Sequence, residues 1–430
     1  MKNRADCRET DDGSYVITGG RPLYGEVEIM SAKNSLLPLI ACSVMTEGEV
    51  FLSRCEPTSD AENMLGILRS LGGICRFENG GIYIDGRPIS GCEVGCGPAG
   101  KLRSSVFILG PLIARLRRAE ICYPGGCDIG PRPIDLHISG LRALGADVRE
   151  DGGRVLCDGR NLRGGRVELP FPSVGATENL MMAAARAPGH TVILGAAAEP
   201  EIADLQNFIN ACGGKVRGAG SRRIEVDGVS SLHGASFDPS GDRIAAGTYL
   251  IAGAMCGGEV TVRGVDSSHL CRLTEKLRAA GARVTERTDG VTVSGDGELH
   301  SPGKVETGPY PGFPTDLQSP VTALCACAKG TSYIIENLFE NRFRAAQQLI
   351  KMGADITVCG RAATVRGRRL YGADVIAEDL RGGAALVLSA LKAEGRSVVS
   401  GLSHIRRGYY DFAGRLASLG ADITVCNKIT

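Results

Sequence analysis

Neither sign of charge is in excess in this 430-residue chain: 49 lysines and arginines stand against 48 aspartates and glutamates. That balance removes the electrostatic footprint of a nucleic-acid binder and points to no strongly acidic or basic partner. Long apolar runs are missing too. The longest, around Val106–Leu116, falls far short of the roughly 20 residues a membrane span needs, and the amino-terminal MKNRADCRETDDG has no apolar signal core. A soluble, unexported, cytoplasmic chain is the expectation. Sixteen cysteines are present but no C-x-x-C pair, and the nearest spacings, Cys92/Cys96 and Cys325/Cys327, have no histidines at ligand spacing. No metal site is therefore expected. Because many cysteines lie in apolar runs such as LIACSVM and TALCACA, they read as ordinary buried thiols of a reducing compartment.

What the chain has in abundance is glycine, 60 residues, about twice average usage. One phrase recurs six times: LRSLGGI (Leu68–Ile74), LRALGADV (Leu141–Val148), INACGGKV (Ile209–Val216), LRAAGARV (Leu277–Val284), LIKMGADI (Leu349–Ile356) and LASLGADI (Leu416–Ile423). Each reads as the last turn of an amphipathic helix, a glycine just past its end where positive φ carries no Cβ penalty, and then a strand. A second helix alternates with the first. In segments such as Leu180–Ala185 and Ala384–Leu391 it is apolar nearly all round, which implies burial on every side.

Six copies of one unit cannot each form a core, so they must pack together, and two groups of three suit the chain length. The expected α/β fold has helices inside and sheets outside. Candidate junctions at Ile29–Ser35 and Phe237–Thr248 give one discontinuous domain, 1–32 plus 241–430, and one inserted domain, 33–240. Two crossings between them suit a hinge around a cleft.

The segment most suggestive of chemistry is Pro124–His137, PGGCDIGPRPIDLH, whose prolines and glycines forbid regular structure around Cys127 and Arg132. Such a loop can expose a thiol and tune its reactivity, although a buried thiol is the plain alternative. Lysine is scarce, ten against 39 arginines, so Lys33 beside Asn34 at a helix start draws notice. A solvated charge is the plain reading there, and a bound anion the functional one. Ser173 in FPSVGATEN and Asp316 in YPGFPTDLQSP read first as helix caps. Arginines 103, 132, 342, 381 and 407 recur at helix starts. Singly they are surface charges; together they would make a cleft for anions, since guanidinium groups hold phosphates and carboxylates bidentately.

Those segments, in this order, resemble the enolpyruvyl transferases nearly end to end: GEVEIMSAKNS, LRSSVFILGPL, PGGCDIGPRPIDLHISGLRALGA, SVGATEN, EPEI, DRIAAGT, FPTDLQ, FENRF, DLRGGAALV and HIRRGYY. The resemblance implies two inside-out α/β barrel (prism) domains of three repeated units each. It implies transfer of the enolpyruvyl group of phosphoenolpyruvate to the 3-hydroxyl of UDP-N-acetylglucosamine, with release of phosphate, in peptidoglycan precursor synthesis. In that likeness Cys127 matches a proton donor open to fosfomycin, and Asp316 a base candidate that meets the sugar hydroxyl. Lys33, Arg132 and Arg407 match the cations around phosphoenolpyruvate, with Arg103 and Arg381 in the same pocket. Asn34, Arg132, Pro133, Ile134, Asp135, Leu136, Ser173, Val174, Gly175 and Leu338 match positions of the nucleotide-sugar site. No cofactor and no metal are implied. Three departures stand out: Phe171 where a basic residue is usual, Arg406 where aspartate is usual, and Gly382-Gly383 in place of Ala-Ser, a change expected to loosen that turn. A shikimate-phosphate enzyme, a paralogue using another nucleotide sugar and a silent regulator remain the alternatives.

Overall fold

The computed structural model describes residues 13–125, 130 and 133–426. Among these, six four-stranded sheets share one pattern: a parallel outer pair, then two antiparallel pairs. In one sheet Ser236–Phe237 runs parallel to Glu49–Leu52, which pairs antiparallel with Gly81–Asp85, itself antiparallel to Ile74–Glu78. The strands alternate buried and open side chains, so each sheet has one wet face.

The six glycines of the repeated phrase decide where the amphipathic helices stop. Gly72, Gly145, Gly213, Gly281, Gly353 and Gly420 have φ values of 101°, 88°, 90°, 97°, 91° and 98°, which side chains with a Cβ rarely adopt. The strands Ile74–Glu78, Asp147–Asp151, Arg283–Arg287, Asp355–Cys359 and Asp422–Cys426 follow directly. The second helix of each unit is packed all round: Lys33–Cys42, Leu109–Leu116, Val174–Ala185, Arg243–Cys256, Gln318–Cys327 and Leu380–Lys392 are buried along most of their length. Helices lie within and sheets without.

Apolar side chains gather into two clusters. One draws on residues from Leu36 to Leu232; the other joins Tyr15–Ile29 to Ile244–Ile423. The amino-terminal strands explain the second cluster's split origin. Ser14–Thr18 fills the place between Arg396–Ser400 and Asp422–Cys426, and Leu23–Glu28 runs parallel to Gly258–Arg263. The chain passes between the clusters twice, and the passages lie side by side. Ala32 N donates to the Ser240 carbonyl at 2.8 Å and Asp242 N to the Met30 carbonyl at 2.9 Å. Buried Asp204 clamps both, accepting from Ser35 Oγ at 2.5 Å and Ser240 Oγ at 2.7 Å.

Two cysteine expectations need correction. Cys96 and Cys122 are joined as a disulfide, because the helix Cys96–Lys101 packs on the strand Arg118–Cys122 and brings their Cα atoms to 4.9 Å. Cys359 and Cys426 are exposed, each ending an outer strand. No helix among the described residues is long and apolar enough to cross a membrane.

Candidate active site

A cavity of about 470 Å³ opens between the two clusters. The starts of all six buried helices converge on it, through Lys33, Arg103 in the 3-10 turn before Leu109–Leu116, Val174, Arg243, Thr315 and Arg381. Helix starts bring unpaired N–H groups and positive dipole ends, so the fold alone biases this space toward anions. Ser173, Asp242 and Asp379 cap three of them through side-chain oxygens. The cap reading of Ser173 therefore holds, while the residue also borders the cavity.

Asp316 does not cap. A 3-10 turn, Thr315–Leu317, precedes its helix, and the carboxylate is turned sideways into a ring of cations. Arg342 Nη2 donates to Oδ1, while Arg381 Nη2 at 3.3 Å and Asn34 Nδ2 at 3.4 Å donate to Oδ2. Burial alone would raise this carboxyl, but Arg381, Arg342 and Lys33 outweigh it and hold it well below the usual range. Arg381 is itself buried and fixed by the Tyr409 hydroxyl at 3.1 Å.

A second knot lies at Asp60, in the first turn of the helix Ser59–Ser70. Lys33 Nζ stands 3.2 Å from Oδ2, and Arg407 Nε 2.8 Å from Oδ1. Lys33 is thus not the solvated charge its helix-start position suggested; its side chain is only 15% exposed. The contact joins residues 347 apart in the chain and links the two clusters. Burial raises the Asp60 carboxyl, yet Lys33 and Arg407 overcome this and lower it overall. The Arg406 carbonyl adds to the link, accepting from Ser59 N at 3.1 Å and Ser59 Oγ at 3.2 Å.

Pro133, Asp135, Leu136, Ser173, Val174, Gly175 and Leu338 border the same cavity, as does Phe171. The Pro133 carbonyl accepts from Arg103 Nη2 at 3.1 Å. Ile134 is placed elsewhere, with its side chain in the first core. Cys127 and Arg132 lie outside the described residues. Gly382 and Gly383 sit in close packing: a Cβ on Gly383 would stand 2.7 Å from Ile405 Cγ1 and one on Gly382 2.6 Å from Asp379 Oδ2, so glycine allows the close approach to Ile405.

Sequence reading missed the cavity's acidic wall. Glu178, Glu199 and Glu201 border it with Arg243, whose Nε donates to Glu201 Oε1 at 3.0 Å and Nη2 to Oε2 at 3.3 Å. Glu199 Oε1 accepts from Tyr310 N at 3.3 Å. The pieces were in view as SVGATEN, EPEI and DRIAAGT, but their roles were not. Nearby His137 is buried, with Nδ1 3.0 Å from Asn179 Nδ2, and burial with Arg103 beside it pushes its pKa down to about 3. It is neutral at physiological pH.

Buried helices inside two barrel-like halves, with cationic helix starts facing a shared cavity, define an enolpyruvyl-transferase fold. The sequence pattern of EPSP synthase (3-phosphoshikimate 1-carboxyvinyltransferase) matches residues 17–416, and the chain belongs to that family. It is 47% identical over 427 residues to UDP-N-acetylglucosamine 1-carboxyvinyltransferase 1 of Symbiobacterium thermophilum, covering 97% of this chain and 96% of that protein. It is 45% identical over 412 residues to UDP-N-acetylglucosamine 1-carboxyvinyltransferase 2 of Caldanaerobacter subterraneus subsp. tengcongensis, covering 96% of this chain and 99% of the relative. In fold it is similar to the enolpyruvyl transferase NikO of Streptomyces tendae, with a TM-score of 0.88 at 23% identity over 97% of this chain and all of that one. EPSP synthase of Acinetobacter baumannii aligns with a TM-score of 0.74 at 19% identity, over 96% of this chain and 99% of its own.

Proposed function

We propose that the protein transfers the enolpyruvyl group of phosphoenolpyruvate to the 3-hydroxyl of UDP-N-acetylglucosamine, releasing phosphate, as a cytoplasmic enzyme of peptidoglycan precursor synthesis. The observation that carries this reading is the pair of knots facing one cavity: Asp316 held by Arg342, Arg381 and Asn34, and Asp60 held by Lys33 and Arg407. The names of the relatives supply the acceptor.

In the addition step the sugar oxygen bonds to C2 of phosphoenolpyruvate, its proton passes to the Asp316 carboxylate, and the C3 methylene takes a proton from the Cys127 thiol. The product is a tetrahedral phospho-ketal. In the elimination step C3 returns a proton to the Cys127 thiolate, the bond from C2 to the phosphate oxygen breaks, phosphate leaves with that electron pair, and the proton taken up by Asp316 passes to the departing phosphate. Lys33, Arg132 and Arg407, with Arg103 and Arg381, offset the charge of phosphoenolpyruvate. A carboxylate held as low as Asp316 is a weak base. The reading therefore requires Arg381 or Arg342 to turn toward the substrate as it binds, which returns basicity to Asp316 where the sugar hydroxyl arrives. Residues 33–240 would close against 1–32 plus 241–430 at the paired crossings and exclude water.

The test is phosphate release from phosphoenolpyruvate with UDP-N-acetylglucosamine or shikimate 3-phosphate as acceptor. Release with the nucleotide sugar alone, lost on fosfomycin treatment, is expected. Release only with shikimate 3-phosphate would overturn the acceptor.

A further inference from the structure

Glu178 lies in the helix Val174–Ala185, three residues after Gly175, and borders the active-site cavity. It is 1% exposed, and neither carboxyl oxygen has a hydrogen-bond partner among the described residues. A buried polar group left unpaired costs about 1–3 kcal/mol, and native proteins rarely keep one without use. Its immediate company is acidic. Glu201 already engages Arg243, and Glu199 has one free oxygen of its own, Oε2.

Of the other charged groups on the helices packed against this one, Arg142 donates to the Val148 carbonyl and Asp204 accepts from Ser35 and Ser240. Lys33 is held by Asp60, Arg103 donates to Pro133, and Arg115 donates to the Val44 and Gly86 carbonyls. His137 is neutral. Burial first, then Glu201 and Glu199, push the Glu178 carboxyl well above its ordinary range, so it keeps its proton and presents one donor and one acceptor. Phosphate or carboxylate would be repelled from this wall. A group without charge that both gives and takes a hydrogen bond fits it, and a sugar hydroxyl or an amide has that chemistry.

We propose that Glu178 is a positioning residue for the acceptor: its carboxyl group donates one hydrogen bond and accepts another from an uncharged hydroxyl or amide of the nucleotide sugar. The assignment rests on the enolpyruvyl-transfer reading of the same cavity. It divides the space by charge, with phosphates drawn to the arginine and lysine side and the sugar's neutral polar groups to the glutamate side.

Steady-state kinetics of Glu178→Ala and Glu178→Gln test it, read as separate KM values for the two substrates. Glu178→Ala is expected to raise the KM for UDP-N-acetylglucosamine about tenfold, the size of one lost hydrogen-bond pair, while the KM for phosphoenolpyruvate stays within about twofold. Glu178→Gln keeps a donor and an acceptor and recovers most of the loss. In the unsubstituted enzyme the KM for the sugar climbs as pH rises through the range in which the raised carboxyl ionises; in Glu178→Gln it does not. Equal shifts in both KM values, no shift in either, or a Gln variant as poor as the Ala variant would overturn the assignment. Should the unsubstituted enzyme release no phosphate, the enolpyruvyl reading fails on its own. Calorimetric binding of UDP-N-acetylglucosamine to the unsubstituted protein and to Glu178→Ala then decides the role of Glu178, with equal affinities rejecting it.

Discussion

Two walls of one cavity treat carboxyl groups in opposite ways. On one, Asp316 and Asp60 are outnumbered by cations and held in the charged form despite burial. On the other, Glu178, Glu199 and Glu201 border the cavity beside Arg243, which Glu201 engages, and Glu178 is pushed toward the neutral form. The local backbone is the same kind of place in each case, a helix start or its first turns. Burial pulls every carboxyl the same way, upward, so the difference comes from how many guanidinium and ammonium groups stand within reach. One fold can thus offer a charge-stabilising side and a neutral hydrogen-bonding side a few residues apart.

The sharpest way to break that contrast is Asp316→Ala. With the proton acceptor gone and Arg342 and Arg381 left without their shared carboxylate, turnover should fall by a factor on the order of 10²–10⁴ while both substrates still bind. Rapid-quench phosphate release alongside calorimetric binding checks this. Turnover within a few-fold of the unsubstituted enzyme would remove Asp316 as the base. Next in size is Asp60→Asn, which leaves Lys33 and Arg407 facing each other without the anion between them. Breaking such a buried arrangement is expected to cost about 3 kcal/mol of stability. Inorganic phosphate or phosphoenolpyruvate should restore more of the melting temperature in this variant than in the parent, because an added anion replaces the lost one.

How far the sequence already displayed this arrangement depends on the range over which each feature is set. The repeat was legible because Gly72, Gly145, Gly213, Gly281, Gly353 and Gly420 meet a local requirement, a positive φ within one turn of a helix end. The buried helices were legible because residues such as Leu180–Ala185 carry no polar face. Pairing was not. Nothing within ten residues of Asp60 announces Arg407, 347 positions on, and an acid in a first turn reads simply as a favourable partner of the helix dipole. Asp316 misled for the same reason: a carboxylate before an apolar helix looks like a cap until the intervening 3-10 turn aims it elsewhere. Glu178 sits in the second turn of its helix, inside a motif noticed for its serine and glycine, and only burial without a partner sets it apart.

Acidity gives a finer probe of the two walls, because their contributions to stability have opposite slopes. For Asp60 the folded value is lowered, so its contribution is present above the unfolded value near 3.9 and is lost as pH falls through the folded one. For Glu178 the folded value is raised. The native state keeps a proton that the unfolded chain releases above about pH 4.3, so stability declines as pH rises from there until the folded value is passed. Glu178→Gln cannot ionise in either state. Its stability relative to the parent should therefore grow by up to about 1.4 kcal/mol per pH unit from about pH 4.3 upward until the folded value is passed, measured by urea unfolding at each pH. A difference that stays flat across that range would mean that Glu178 is charged in the folded protein.

The smallest effect separates the cavity from its surroundings through two helical glycines. Around Gly66, within the helix Ser59–Ser70, a Cβ would meet nothing within 4 Å. Gly66→Ala should then stabilise the protein by about 0.5–1 kcal/mol through helix propensity alone. Gly383 lies in the first turns of the helix that carries Arg381, where a Cβ would come 2.7 Å from Ile405 Cγ1 and 2.9 Å from Ala377 Cβ. Overpacking of this kind costs roughly 1–3 kcal/mol, more than the propensity gained, so Gly383→Ala should destabilise. Because Ile405 directly precedes Arg406 and Arg407, whatever shift relieves the contact also moves the Arg407 guanidinium relative to Asp60. Gly383→Ala should accordingly raise the KM for phosphoenolpyruvate and leave that for the sugar near its original value. Gly66→Ala should change neither. Paired thermal melts and two-substrate kinetics of these variants read both effects, and a stabilised Gly383→Ala with an unaltered phosphoenolpyruvate KM would show that the two neighbouring helices have room to part without disturbing the knot at Asp60.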